Sequence, residues 1–518
     1  MWSSIVIPII TVILVNYGAW KILKWVWINP RKKEKMLKQQ GFNGNSYTLR
    51  SLLFGDVKEN SIAYAETLGK PINVHSEIVP RVIPFVHKTV QQYGKKSFMW
   101  AGVRPQVLIL DPDLIKIILN EYNNFVKNFK ITNDILRSFV GGLISYEGDK
   151  WSKSRSKFNP IFYAGKLKKT VPAIQLSCDD TINEWKRMVS NSKEGPGSCV
   201  VDVVPYFESF SATILCRALF DSDYSEDEKI FELLREIPLI AFQTSKIVEL
   251  PGGKYLPTKE NRKAKQMTRE VREFFMKRIE EKAKAIKAGD TTGESFFDVL
   301  LEPELAEAHG MKNMDDIIGQ LKLFHFAGHE TSSMMLVWTM VLLSIHQNWQ
   351  QRAREEVFRV FGDSKPDYEG LSQLKIVSVI LNEVLRLYPP ILELSRLVEQ
   401  ETRLGEIVVP ADTLLMLPTL MVHRDPEIWG EDANDFRPDR FADGVMKATK
   451  GKTAYFPFGW GPRVCIGQNL ALLEGKLMLA NILKTFLFEL SPTYTHAPQG
   501  VSTLQPQYGA HIVLRELE

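Results

Sequence analysis

Phe458-Gly459-Trp460-Gly461-Pro462-Arg463-Val464-Cys465-Ile466-Gly467 places one cysteine inside a glycine-punctuated loop, and residues 469–490 after it read as a helix. A thiolate that holds a metal through a single axial bond needs a tight, pre-formed loop. Gly461 and Gly467 supply backbone freedom where side chains would obstruct. Backbone N–H groups turned toward the sulfur, together with the positive end of the following helix, stabilise its negative charge. Arg463, two residues before Cys465, is placed to reach an anionic group on whatever the cysteine binds. For Cys465 alone the competing interpretation is a buried structural cysteine in a turn, since free cysteines are commonly buried.

A second informative stretch lies in a long apolar run at residues 314–345, which implies a helix buried at the centre of the protein. Its middle reads Phe326-Ala327-Gly328-His329-Glu330-Thr331. A buried carboxylate costs several kcal/mol unless it is paired or hydrogen-bonded. An acid beside an alcohol there is either a capped carboxylate at a kink or a route for protons. Gly328 weakens the helix by about 1 kcal/mol relative to Ala and is expected to leave room for a small ligand against the backbone.

Further on, Glu383 and Arg386 are three apart in Asn382-Glu383-Val384-Leu385-Arg386, and Pro389-Pro390 end that helix. Exposed, such a pair contributes only about 0.2–0.5 kcal/mol. Earlier in the chain, Trp151 and Arg155 share one helical face of residues 148–157, and Lys150, Lys153 and Lys157 fall on another, expected to point outward.

Together these residues closely resemble the haem-thiolate monooxygenases, the cytochrome P450 superfamily. The carriers are the Phe-x-x-Gly-x-Arg-x-Cys-x-Gly loop (Phe458, Gly461, Arg463, Cys465, Gly467), the Gly-x-Glu-Thr stretch, the Glu-x-x-Arg pair and the Trp-x-x-x-Arg pair, in the order that superfamily requires. The resemblance implies a mainly α fold with a small β-rich lobe. It places haem b between the long central helix and the cysteine loop, with Cys465 as axial iron ligand. A thiolate ligand pushes electron density onto iron and favours O–O cleavage. It further implies that Trp151, Arg155, Arg396 and Arg463 hold the haem propionates. Thr331 would donate a hydrogen bond to the oxygen being activated, and Glu330 would deliver protons. Arg440, from Phe436-Arg437-Pro438-Asp439-Arg440-Phe441, would join Glu383 and Arg386 in a buried structural network, a satisfiable arrangement of one carboxylate between two guanidiniums. Ile391 to Arg396 would line the pocket, and Glu393 either meets a hydroxylated substrate there or turns to solvent. Thr503 and Leu504 would reach the pocket from a terminal turn.

The N-terminus adds a membrane. Residues 5–28 are apolar apart from Thr11, Asn16, Lys21 and Lys24, and reach the roughly 20 residues a span needs. Trp25 and Trp27 sit at the boundary, and Pro30-Arg31-Lys32-Lys33 follows. Charge after the run places the catalytic part on the cytoplasmic side. A cleaved signal peptide would carry its charge before the run. The expected organisation is an anchor at 1–28, a basic linker at 29–47 and a catalytic domain at 48–518. The expected site of residence is the endoplasmic reticulum membrane, crossed once.

Composition excludes several classes. A net charge of +4 over 518 residues does not suggest nucleic acid. Four cysteines, none in a Cys-x-x-Cys pair, suggest neither zinc nor a disulfide framework.

The finer resemblance is to plant microsomal enzymes of the seventy-two clan, the secologanin-synthase-like family, carried by residues 27–47, Phe456 to Arg463, residues 491–498 and Gly509-Ala510-His511. The chain departs from the usual plant pattern in lacking a Pro-Pro-Gly-Pro hinge. The resemblance implies NADPH as electron source through a membrane-bound cytochrome P450 reductase. It also implies a hydrophobic terpenoid substrate of iridoid, triterpenoid or gibberellin type. The other expectations are a hormone-inactivating hydroxylase acting, for example, on brassinosteroids, a reductase-independent haem-thiolate isomerase or dehydratase, and a non-enzymatic haem-binding scaffold.

Overall fold

The computed structural model describes residues 2–48, 54–127, 141–192, 197–220, 222, 224–244, 258–290, 295–301 and 314–517. Parts of four stretches lie outside the described residues: 128–140 of the segment 126–146 expected to overlie the substrate, 193–196 and 291–294 of the loops expected at 192–197 and 289–294, and 245–257 of the apolar segment 237–257 expected to give access or touch the membrane.

The central helix runs Met314–Ile345. Asp315 and Asp316 sit in its first turn, favourable at the positive helix end, and from Ser332 to Ser344 every residue is buried. Around it pack the helices Val203–Leu215, Lys375–Leu387 and Gln468–Thr485, the last following the cysteine loop. Their apolar faces merge into one large core, each fully buried Leu, Val or Phe contributing about 1.5–3 kcal/mol. The helix after the cysteine is shorter than its expected span of 469–490. It gives way to the strand Phe486–Leu490, whose buried and exposed side chains largely alternate. That period of two is a strand signature inside what reads as a helical run.

A second core lies under a five-stranded sheet. Its order in space is Asn43–Gly44, Ser97–Ala101, Arg104–Leu108, Thr413–Leu417, Leu394–Val398. The lobe near the N-terminus is therefore completed by two strands from far along the chain, one of which carries Arg396. A three-stranded sheet joins Ser198–Asp202, His511–Glu516 and Phe486–Leu490. A hairpin of Pro498–Gly500 and Leu504–Pro506 closes over the central helix, where the Trp338 indole donates to the Leu504 carbonyl at 2.8 Å.

The N-terminal helix Trp2–Leu23 continues through a π-helical turn, Lys24–Ile28, into Asn29–Gln39. Among the described residues, two helical stretches are long and apolar enough to cross a membrane. Ile7–Gln39 has none of its most apolar window buried, whereas Val203–Phe220 has 56% of it buried and packs on the central helix. Only the first is a candidate anchor. Most of the region expected as a basic linker is a helix docked on the β lobe. Leu37 is fully buried, Lys33 donates to the Asp412 carbonyl at 2.7 Å, and the Gln40 amide exchanges two hydrogen bonds with the backbone of Val408.

Candidate active site

The helix carrying Glu383 begins on another buried acid. Glu356 accepts from the backbone N–H groups of Lys375, Ile376 and Val377 at 2.8–3.0 Å, satisfying donors that a helix start leaves open. Eight residues later Glu383 meets Arg386 in a two-pronged pair, both contacts 2.7 Å and both side chains fully buried. Arg440 adds a third contact at 3.2 Å, and the Arg437 backbone N–H donates to the same carboxylate at 2.9 Å. The remaining guanidinium donors reach the carbonyls of His423, Ala433 and Asp435 from Arg386, and those of Trp429 and Asp432 from Arg440. The network thus ties the irregular segment 423–440 to one helix.

His423 passes that constraint on. Its Nε2 accepts the Phe456 backbone N–H at 3.0 Å, and burial pushes its pKa down to about 3, so the ring stays neutral and able to accept. Phe456 is the entrance to the cysteine loop. There the Gly459 N–H donates to Phe456, and the Cys465 N–H donates to the Phe458 carbonyl at 2.8 Å. Gly461 has a positive φ of 70°, and an added Cβ would lie 2.7 Å from the Leu119 carbonyl oxygen. Gly467 differs from its expected role. Its backbone is ordinary (φ −87°), and an added Cβ would only touch the Cys465 sulfur at 4.0 Å, so what it provides is space beside the thiol. Burial raises the thiol pKa, opposed by the backbone N–H groups of Gly467 and Gln468 and by the charges of Arg155 and Lys127. The sulfur nonetheless retains accessible surface. A group enclosed by protein yet accessible faces an internal space.

Positive charge gathers at the edge of that space. Trp151 and Arg155 lie on the helix Gly148–Phe158. Arg155 donates to the Val464 carbonyl at 2.8 Å, so it also braces the cysteine loop. The Arg463 guanidinium lies over the Trp151 ring at 4.7 Å and pairs with Glu147 at 2.9 Å. Arg396 is buried, and its nearest charged influences are Arg463 and Glu147. Lys127 belongs to the same group and was not singled out in the sequence. It is an isolated lysine with no motif around it. Its backbone N–H donates to Glu147 at 2.9 Å. Burial, then repulsion from Arg396 and Arg463, pushes its pKa down to about 7.

The lysine face of helix Gly148–Phe158 is corrected by the structure. Lys157 is buried, and Lys150 pairs with Asp316 of the central helix at 2.6 Å, leaving Lys153 exposed. Helical spacing fixes which residues share a face, not which neighbour covers it.

The central helix is unbroken through Glu330 and Thr331. The room expected at Gly328 is already taken, since a Cβ there would lie 2.6 Å from the Leu215 side chain. The small residue with open surface is Ala327, exposed in the middle of an otherwise buried helix. Thr331, one turn on, donates to the Ala327 carbonyl at 2.7 Å. Glu330 is buried and points elsewhere. Its Oε1 accepts from Ser502, from Thr503 at 2.9 Å and from Gln505 at 2.7 Å, all on the C-terminal hairpin. Its Oε2 is buried with no hydrogen bond. Burial raises its pKa against those three donors.

A family model for cytochrome P450 matches residues 80–511. This chain belongs to the cytochrome P450 family. Among similar proteins, cytochrome P450 CYP72A219 of Panax ginseng is 48% identical, covering 98% of this chain and 97% of its own length. A 7-deoxyloganic acid hydroxylase of Catharanthus roseus is 45% identical, covering 99% of each chain. Secologanin synthase 1 of the same plant is 43% identical, covering 98% and 96%.

The residues of this cytochrome P450 fit the haem its family implies. Lys127, Arg396 and Arg463 share one carboxylate, Glu147, while Arg155 and Lys127 face the thiol. The buried Nε atoms of Arg396 and Arg463 have no hydrogen-bond partner. Unsatisfied buried guanidinium donors around a surplus of positive charge are what two carboxylates on the rim of a flat ligand would complete. The enzyme is an oxidoreductase, a monooxygenase by family.

Proposed function

We propose that this cytochrome P450 inserts one oxygen atom from O2 into a C–H bond of a hydrophobic plant metabolite or hormone, with terpenoids leading: iridoids, triterpenoids or gibberellin-type diterpenoids. Electrons come from NADPH through a membrane-bound cytochrome P450 reductase. The observation that carries the reading is the exposed Cys465 beside an underused set of cations, with exposed Ala327 and Thr331 on the buried central helix. Haem b bound there supplies the oxygen-activating centre.

The chain's own residues supply the rest. Cys465 would ligate the haem iron, in a loop whose Phe458, Gly461 and Gly467 shape the sulfur's surroundings. Arg155, Arg396, Arg463 and Lys127 hold the propionates, with Trp151 stacked beneath Arg463. Thr331 donates its hydroxyl hydrogen to the Ala327 carbonyl, and in this reading it would turn that donor to the oxygen being activated. Glu330 holds a proton more tightly than an exposed glutamate, one residue away. Glu383, Arg386 and Arg440 keep the loop in place without touching substrate. Exposed Lys153 is the basic contact for an acidic electron donor. The apolar N-terminal helix holds the enzyme on the endoplasmic reticulum with its catalytic part on the cytoplasmic side. The relatives named for secologanin and 7-deoxyloganic acid support an iridoid or another terpenoid.

The test is product analysis by mass spectrometry after co-expression with a plant reductase and NADPH, across iridoids, triterpenoids, gibberellins and brassinosteroids. A product heavier by one oxygen, or a ring-opened or carboxylic product, supports the reading. Product without NADPH points to an isomerase or dehydratase. Cys465→Ala abolishes the thiolate-type carbonyl spectrum, and an unchanged spectrum removes the ligand assignment.

A further inference from the structure

The C-terminal hairpin does more than close over the central helix. Its loop, Val501 to Thr503, joins Gly500 to Leu504, which face each other in the ladder. Neighbouring elements hold both ends of that loop. The Tyr64 hydroxyl donates to the Gly500 carbonyl at 2.8 Å, and the Leu504 N–H donates to the Pro390 carbonyl at 3.0 Å. The Trp338 indole fixes the Leu504 carbonyl from the central helix. The loop is thereby seated on Glu330, to which Ser502, Thr503 and Gln505 all donate.

These contacts decide how a proton reaches the acid. Glu330 is 2% exposed and its Oε2 is buried without a hydrogen bond, so exchange runs through Oε1. Gln505 meets Oε1 with an amide nitrogen, which donates but does not accept and so relays nothing. Thr503 is buried, and its oxygen takes the same amide at 3.2 Å, so a route through it ends at that amide. Thr331, next in sequence to Glu330, gives its hydroxyl to the Ala327 carbonyl. Arg235, the cation that bears on Glu330, is paired with Glu208 at 2.8 Å. Ser502 differs from all of these. It is partly exposed, and a hydroxyl donates and accepts at once. Among the described residues it is the one hydroxyl that joins this carboxylate to accessible surface.

We propose that Ser502 is the residue through which Glu330 takes up and releases its proton, while Thr503 and Gln505 hold the carboxyl in place. The proposal rests on the proton role given to Glu330 above and adds the route that feeds it. The step conserves atoms and charge. The Ser502 O–H bond breaks as its hydrogen passes to Oε1, and a proton from the water side forms the new O–H bond on Ser502. Nothing is oxidised or reduced, and release runs the same bonds backwards. Ser502 acts through Glu330 and is a positioning residue. Without its hydroxyl, exchange waits for the hairpin to open, a local unfolding event.

The test needs no substrate. Infrared spectra of the full-length, haem-loaded protein are followed as H2O buffer is replaced by D2O. The C=O stretch of a protonated carboxyl stands apart from that of a carboxylate and shifts when deuterium replaces its hydrogen. The Glu330 band is the one missing from Glu330→Gln, recorded at a pH low enough to fill it. Ser502→Ala is expected to slow exchange at that band about a hundredfold, the low end of what one placed proton-transfer group contributes. Ser502→Thr restores the rate, and Thr503→Val leaves it near that of the wild type. Equal rates in wild type and Ser502→Ala overturn the proposal. So does equal slowing in Thr503→Val, which would route the proton through the buried hydroxyl. So does a wild type with no such band at any pH, since Glu330 would then have no proton to pass. A second arm measures peroxide released per NADPH with reductase present, expected to rise in Ser502→Ala and not in Ser502→Thr. Full coupling in Glu330→Gln removes the catalytic proton role of Glu330, whereas slowed exchange in Ser502→Ala still upholds Ser502 as its route.

Discussion

Glu383 and Glu330 are both buried glutamates on helices of one core, and they are satisfied in opposite ways. Glu383 receives two guanidiniums and a backbone N–H, so its negative charge is matched. Glu330 receives two hydroxyls and an amide on one oxygen and nothing on the other. The first arrangement holds one geometry, which suits a framework. The second, with burial raising the pKa, makes the acid easier to protonate than an exposed glutamate and replaceable by a neutral group, which suits a residue that gains and loses a proton.

The comparison breaks or holds on four substitutions. The largest effect belongs to Glu383→Ala, which leaves two guanidiniums buried without their anion. Breaking such a pair costs about 3–5 kcal/mol, against a total stability of about 5–15 kcal/mol. Little folded haem protein is expected, and a normal yield with an unchanged melting temperature would contradict the framework role. Next is Thr331→Ala, which keeps the fold and uncouples NADPH use from product, releasing peroxide. Full coupling would remove its proton role.

Glu330→Gln sharpens the contrast. Its amide carbonyl can still accept from Ser502 and Thr503, so stability shifts by less than about 1 kcal/mol, while product per NADPH falls. A stability loss as large as that of Glu383→Ala would show the two acids to be alike. The smallest effect extends the comparison to a third acid. Glu474, on the helix after the cysteine, is buried within reach of Ser332, and burial pushes its pKa from 4.5 to about 8. The folded state then holds a proton that the unfolded chain releases. Its contribution to stability is full below pH 4.5 and is lost as pH rises through about 8. Glu474→Gln keeps the neutral shape, so the slope of melting temperature against pH between those values flattens. An unchanged slope would place the proton elsewhere.

What could be read in the sequence was local. The central helix has the bounds its apolar run indicates, because burial of a long run and helical hydrogen bonding agree. Trp151, Arg155, Arg463 and Cys465 stand close together, as do Glu383, Arg386 and Arg440. What could not be read was set by distant chain. The partners of Glu330 lie more than 170 residues away on a hairpin. Lys157 is covered despite its charge, and Leu215 occupies the room at Gly328. Lys127 has no spacing signal, because its role comes from the bridge that pairs Val126 with Leu397, next to Arg396.

The continuous N-terminal helix has a mechanical consequence. A flexible tether would let the enzyme tumble above the bilayer, but Asn29–Gln39 is bolted to the β lobe by Leu37, Lys33 and Gln40. The apolar segment before it behaves as a mast stepped into the hull. On the proposed anchoring, its tilt in a bilayer would set the angle at which the body leans, and so which flank hydrophobic molecules dissolved there would meet first.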